Sequence, residues 1–309
     1  MLRATLFSVA SLAAAASVPA SQEAPVFEVG LDLVNVTATV RNEDGNLVSD
    51  LSAADFAVME DGREQKLQLF APAGDPAERE ELALNLGMLF DTSESMRKNL
   101  RLSQASAVRF LDSIPRARDL ILIFFDRDIR ISRYNSENQQ GIFERILETE
   151  GQSYTALNDS IVAYISRVIG TPGRKVAVIF SDGDDTISSV SAPEVIELIR
   201  STNVTIYPVA FPGDRGVGTR SAIRARAFLG ELAKSSGGEV FRPGAYRELA
   251  EIYNRILDEL SAQYVLGYVS DNPRRDGEYR RLEVEVRRPG LHVRHRPGYN
   301  APEEQRPGR

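Results

Sequence analysis

Four stretches constrain this chain more than anything else in it. Leu84–Phe90, Leu120–Phe125, Val176–Phe180 and Val204–Phe211 are near-continuous apolar runs, each about one strand long. A strand that is apolar on both faces must be covered on both, and that arrangement belongs to parallel sheets clad by helices. The intervening sequence supplies the helices. Leu157, Ile161, Ile165 and Ile169 step by four, and Leu249, Ile252, Tyr253, Ile256, Leu257 and Leu260 form a stripe at helical spacing. Ile129–Tyr134, after Asp126-Arg127-Asp128, predicts an edge strand in a hairpin, and Gly237–Phe241 predicts a last short strand. The expected class is α/β, with a doubly wound, mostly parallel six-stranded sheet.

The flanks are written differently. Phe27–Val40 alternates and is rich in β-branched residues, and the turn Glu43–Asn46 follows. Asp55–Met59, the turn Glu60-Asp61-Gly62 and Gln65–Phe70 predict a second strand pair. At the other end stand Gln263–Val269, Tyr279–Arg287 and Leu291–His295. In the middle one of these, Leu282, Val284 and Val286 alternate with charged residues, so one face is buried and one is wet. Neither set can bury much of a core alone. Residues 263–300 are therefore expected to pack with residues 26–72 as a small composite β-sandwich, into which the α/β domain, residues 76–262, is inserted. The N-terminal β segment is bounded at 21–75, and residues 301–309 form a polar tail.

Composition removes whole classes of chemistry. The 309 residues hold no cysteine and two histidines, which excludes thiolate zinc sites, iron–sulfur clusters, thiol nucleophiles and His-rich metal centres. Lys plus Arg is 37 against 44 for Asp plus Glu, a net charge of −7, the wrong sign for a general nucleic-acid binder. Residues 1–20, with Arg3, a run of small and apolar residues and Val18-Pro19-Ala20 at the end, predict a signal peptide. No other segment is apolar enough to span a bilayer. The expectation is an exported protein, periplasmic or extracellular, with no membrane insertion after cleavage.

In open parallel sheets ligands gather at the carboxyl ends of strands, where strand order reverses. The first run ends in Asp91-Thr92-Ser93-Glu94-Ser95, a later one in Ser181-Asp182-Gly183-Asp184-Asp185, and Thr155 stands before a helix between them. Hydroxyls and carboxylates together are hard donors suited to Mg²⁺, Mn²⁺ or Ca²⁺. The D-x-S-x-S spacing after a buried strand, the later threonine and the strand-end aspartate resemble the metal-ion-dependent adhesion site (MIDAS) of von Willebrand factor type A domains. The resemblance covers residues 80–262. Val40, Gly45, Asp55-Phe56, Glu60-Asp61-Gly62 and Gly298-Tyr299 on the flanks resemble the exported bacterial members. It implies metal ligands at Asp91, Ser93, Ser95, Thr155 and Asp182, a Mg²⁺ ion, and a partner protein whose carboxylate completes the coordination. It implies no enzymatic activity.

Blander readings compete for the same residues. Asp91, Ser93, Ser95 and Thr155 are all good helix N-caps, Asp184 and Asp185 suit a solvated turn, and Asp159 suits the positive end of a helix dipole. Ser95-Met96-Arg97-Lys98 and Ser270-Asp271-Asn272 match β-lactamase signatures, but no K-T-G follows. His292 and His295, three apart in a strand, point to opposite faces. The arginines at 274, 275, 280, 281, 287 and 288 are interleaved with acids and read as a solvated sheet face. Two functional alternatives stay open: a Mg²⁺-dependent phosphohydrolase-like enzyme with Asp91 as nucleophile, and a structural envelope protein with a degenerate site. The first lacks an acid at position 93 and a strand-end lysine.

Overall fold

The computed structural model describes residues 33–72, 83–97, 119–134, 154–213, 218–244 and 248–303, with six isolated positions between them: 100, 101, 104, 108, 144 and 146. The expected signal peptide lies outside the described residues. Asp32–Arg309 forms one compact unit.

The apolar runs become the central sheet. Strands β5 (Leu84–Asp91), β6 (Asp119–Phe125), β7 (Ile129–Tyr134), β8 (Arg174–Ser181) and β9 (Val204–Ala210) lie in the order β7-β6-β5-β8-β9. All pairs are parallel except β6 with β7, the expected edge hairpin. Helices α1 (Leu157–Val168), α2 (Ala192–Arg200), α3 (Arg220–Ser236) and α4 (Glu248–Ala262) flank it. Side chains alternate across β5. Leu86, Met88 and Phe90 pack in one core with α4, while Leu89 packs in another with α1, α2 and α3.

The sheet has five strands where six are expected. The sixth place is held by a single parallel bridge, in which Phe241 N–H donates to Pro208 O and Ala210 N–H to Phe241 O, both at 2.8 Å. On that edge of β9 the next donors in either direction would be the nitrogens of residues 208 and 212. Both are prolines, which have no N–H to give, so the ladder stops at one residue.

Packing against the sheet is close at Gly87. A Cβ there would sit 2.3 Å from the ring of Tyr164, whose hydroxyl donates to Val176 O at 2.8 Å and Asn85 O at 3.0 Å. Gly87→Ala should therefore cost about 1–3 kcal/mol in urea denaturation, and Tyr164→Leu should recover part of that loss in the double variant. An unchanged midpoint for Gly87→Ala alone would show that the ring is loosely held.

The flanking segments pair with each other. β1 (Leu33–Asn42) lies between β10 (Tyr264–Val269) and β12 (Leu291–Arg294), with β4 (Leu67–Pro72) beyond β10. β2 (Phe56–Glu60) lies between β11 (Tyr279–Val286) and β3 (Arg63–Gln65), with β13 (Gly298–Asn300) beyond β11. Val36, Ala38, Phe56, Val58, Leu266 and Val284 share one core, so the two four-stranded sheets face each other. The β2–β3 turn has positive φ at Asp61 (48°) and Gly62 (77°), the geometry of a tight hairpin. The expected strand Gln65–Phe70 is two strands: β3 stays with β2, and after Lys66 the chain crosses to the other sheet as β4 beside β10.

Glu259 ties the last helix of the α/β part to the sandwich. Fully buried near the end of α4, it accepts from Tyr207 Oη on β9 at 2.6 Å, from Arg41 Nη2 on β1 at 3.1 Å, and from Arg294 on β12.

Candidate functional site

β5 is the middle strand, and the chain leaves it toward β6 on one side before returning to β8 on the other. That switch point leaves a crevice at the carboxyl ends of β5 and β8. Asp91, the last residue of β5, is 1% exposed. Its Oδ1 accepts from Ser93 N–H at 2.9 Å, and its Oδ2 accepts from Ser181 Oγ at 2.6 Å. Ser93 Oγ and Ser95 Oγ lie 3.1 Å apart. Ser93 is the N-cap of a short 3₁₀ turn, Glu94–Met96, but makes no side-chain cap bond. Its oxygen faces Ser95 instead.

Thr92 points the other way. Its hydroxyl donates to Asp126 Oδ2 at 2.8 Å and accepts from Arg130 Nη2 at 3.1 Å, so the loop is clamped to the end of β6. Asp126 is fully buried. Burial alone would raise its pKa, but Arg130, the Asp128 N–H and Thr92 together hold it below the usual carboxylate range.

On the far side of the crevice, Asp182 Oδ1 accepts from Asp184 N–H at 3.1 Å. Gly183 has φ +83°, and a Cβ there would meet Ala225 O at 2.8 Å, so only glycine fits this turn. Gly183 N–H donates to Ser181 Oγ at 2.9 Å. Thr155, 3% exposed, is strapped to the same loop through its backbone: its N–H donates to Thr186 Oγ1 and its carbonyl accepts from Thr186 N–H, both at 2.9 Å. Thr155 does not cap α1. The N-cap is Ala156, and the open N–H groups are met from elsewhere, Asn158 N–H by Asp185 Oδ2 at 2.8 Å and Asp159 N–H by Ser188 Oγ at 3.1 Å.

The acidic run is thus less solvated than its sequence suggests. Asp185 caps a helix, Asp184 accepts from Ser221 Oγ at 3.0 Å, and Asp159 in the first turn of α1 holds the Ser189 and Val190 N–H groups. Sequence reasoning missed Ser181, the hydroxyl that orients Asp91. Its signal was its place beside Asp182 at the end of an apolar run, where an inward side chain must be polar for a reason. His295 is no ligand either: Nε2 accepts from Val284 N–H at 3.2 Å and Nδ1 lies 2.7 Å from Arg296 O.

The electrostatics separate the two buried aspartates at adjacent strand ends. Asp126 has Arg130 at 2.8 Å. Asp91 has only neutral donors, and among the described residues neither it nor Asp182 has a Lys or Arg partner. Burial pushes Asp91 up to about 7 against the pull of its Ser181 and Ser93 hydrogen bonds, and the charge of Asp182 adds to the rise. Among the described residues no group of three or more His, Asp or Glu gathers. A cation here would therefore be met by two carboxylates and several hydroxyls, a set that fits a hard dication and not a soft one.

A doubly wound α/β domain with an oxygen-lined crevice at its switch point is a ligand-binding architecture. The von Willebrand factor type A domain matches residues 85–255, more than half of the 309 residues, and the chain belongs to that family. No curated protein sequence matches it. Among solved structures, a von Willebrand factor type A protein from Catenulispora acidiphila is 10% identical with a TM-score of 0.49, over 89% of this chain and 74% of that one. The pilus adhesin SpaC of Lactobacillus rhamnosus GG is 9% identical with a TM-score of 0.49, over 86% of this chain and 48% of that one. Proximal thread matrix protein 1 of the mussel byssus is 18% identical with a TM-score of 0.45, over 60% of this chain and 47% of that one. The chain thus spans less than half the length of the last two.

Proposed function

We propose that this protein is an exported, non-enzymatic binding module that holds a divalent cation and engages a carboxylate of a partner protein. Asp91, Ser93, Ser95, Thr155 and Asp182 would hold the ion, Mg²⁺ or alternatively Mn²⁺ or Ca²⁺. The observation that carries this reading is Asp91, a buried carboxylate with no basic partner among the described residues, next to an Asp126 that has one. When bound, the ion supplies a Lewis-acidic centre for an external acid. Two carboxylates only neutralise a dication, which leaves it able to attract a third. The protein's own contribution is rigidity. Ser181 fixes the Asp91 rotamer and ties the two strand ends together, the Thr92–Asp126–Arg130 clamp fixes the loop, and the Thr155–Thr186 strap holds Thr155 to the loop that carries Asp182.

Exported placement rests on residues 1–20 as a signal sequence. No helix among the described residues is long and apolar enough to cross a membrane. The phosphohydrolase reading is weakened further by Lys175, which stands at the start of β8, away from the crevice, and donates to Gly173 O at 3.3 Å.

Calorimetric titration with MgCl₂ and MnCl₂ tests the ion directly. Wild type should take up one equivalent and Asp91→Ala none. Heat-silent titration of the folded wild-type protein would sink the proposal. Capture of cell-envelope proteins should likewise require the metal and be lost in EDTA and with Asp91→Ala. Capture that survives both belongs to the structural alternative.

A further inference from the structure

Beside the crevice, and sharing Asp182 with it, lies a cavity of about 380 Å³. Its walls are Asp182 and Asp184 after β8, residues 210–213 at the end of β9, the first half of α3 and residues 242–244. The floor is apolar, formed by Phe211, Ala225 and Leu229, and Arg226 and Arg242 stand at its edge. Both arginines are exposed, and neither has an ion pair or hydrogen bond among the described residues. That sets them apart from Arg130, Arg133, Arg280 and Arg294, each paired with a carboxylate. Arg220 and Arg224, on the same stretch of α3, are also exposed and unpaired among the described residues. The first turn of α3 carries no acid, although the helix dipole favours acids there and disfavours Arg220. A local rule broken at the edge of a ligand-sized cavity points to a binding role. The lining also holds Asp182, given to the proposed ion, and Asp184, which accepts from Ser221 Oγ, so on a chain of net charge −7 the four arginines make a local basic edge to an apolar hollow.

We infer that this cavity is the specificity pocket for the partner: it takes an acidic segment in which one carboxylate meets the ion, an adjacent apolar side chain enters the hollow, and a second carboxylate pairs with Arg226 and Arg242. The inference rests on the metal-dependent reading for the first carboxylate only. The cavity and its arginines exist without it. Charge complementarity selects an acidic partner segment, and the Phe211–Leu229 floor selects an apolar residue between the acids. An exposed guanidinium pair contributes modestly to affinity and more to selection between partners.

Three fluorescein-labelled peptides of equal length serve as probes, with the cores Asp-Leu-Glu, Asp-Leu-Gln and Asp-Gly-Glu, titrated against the full chain by fluorescence polarisation in Mg²⁺. Wild type should bind the first several-fold more tightly than either other. The Arg226→Gln/Arg242→Gln variant should lose that preference for Glu over Gln and bind the Asp-Leu-Gln peptide as wild type does, with its Mg²⁺ uptake unchanged. Equal affinity of the variant and wild type for Asp-Leu-Glu, with binding still lost in EDTA or Asp91→Ala, overturns the pocket and leaves the ion reading standing. Arginine-dependent binding that survives EDTA and Asp91→Ala does the reverse. If no probe binds up to about 1 mM, the pocket is overturned, and the calorimetric titration decides the ion separately.

Discussion

Replacing Glu60 with alanine should cost about 3–5 kcal/mol of stability. Glu60 ends β2, is 2% exposed, and faces Arg280 of β11, 3% exposed, at 3.3 Å. Its Oε2 accepts from Tyr268 Oη at 2.7 Å and Tyr299 Oη at 2.8 Å, and its Oε1 from Ser270 Oγ at 2.5 Å. Tyr268 belongs to one sheet of the sandwich, while Arg280 and Tyr299 belong to the other, so one carboxylate joins both. Alanine leaves a buried guanidinium without its acid and several hydroxyls without an acceptor, and each such orphan carries its own desolvation cost. Chemical denaturation of Glu60→Ala, Arg280→Met and Glu60→Leu/Arg280→Met measures this. Both single variants should be severely destabilised, whereas the double variant should lie closer to wild type because no unpaired charge remains. A loss under about 1 kcal/mol for Glu60→Ala would mean that water reaches the pair.

The second large effect is at Asp91 and depends on pH. In EDTA the protein should lose stability as pH rises from about 4 to about 7. The carboxyl titrates at about 7 in the folded chain against an ordinary 3.8, so the folded state holds the proton more tightly. The stabilisation from that proton is complete below the unfolded value, declines as pH climbs through the folded one, and is gone above it. The whole effect is roughly 4 kcal/mol at most. Asp91→Asn has no proton to lose there. At about pH 8 in EDTA it should be more stable than wild type, and its pH profile should lack this component while keeping those of the other carboxylates. Mg²⁺ should close most of that gap. Wild type gains about 2.7 kcal/mol when the ion is at a hundred times its dissociation constant, and Asp91→Asn gains nothing. Parallel profiles for the two proteins in EDTA would show that Asp91 is ionised without cost and needs no cation.

Much of this architecture is legible without coordinates, for one reason. A strand of a parallel sheet is covered on both faces, so Leu84–Phe90, Leu120–Phe125, Val176–Phe180 and Val204–Phe211 announce themselves as unbroken runs. Strand ends then locate the crevice, and Asp91, Ser93 and Ser95 stand in it because the loop leaves the middle strand there. Alternation in Tyr279–Val286 likewise tells which side chains are inside.

Pairing across distance is what the sequence leaves open. Alternation says which face is buried but not which strand lies alongside, so the break at Lys66 that sends β4 to the other sheet has no local signal. Pro208 and Pro212 are plain in the sequence, but they end the sixth strand only because the fold turns both nitrogens to the open edge of β9. Glu60 and Ser181 are the sharpest cases. Glu60 reads as part of an exposed hairpin turn, yet its partners lie more than two hundred residues away. Ser181 reads as a spacer before Asp182, yet it holds Asp91, ninety residues earlier. Periodicity and turn chemistry are local, so the sequence by itself determined the strands, the helices and the rim where oxygens collect. Desolvation depends on everything folded around a group, so only the tertiary structure decided which of those charges are buried and which have a counter-charge, Asp126 with Arg130 and Asp91 without one among the described residues.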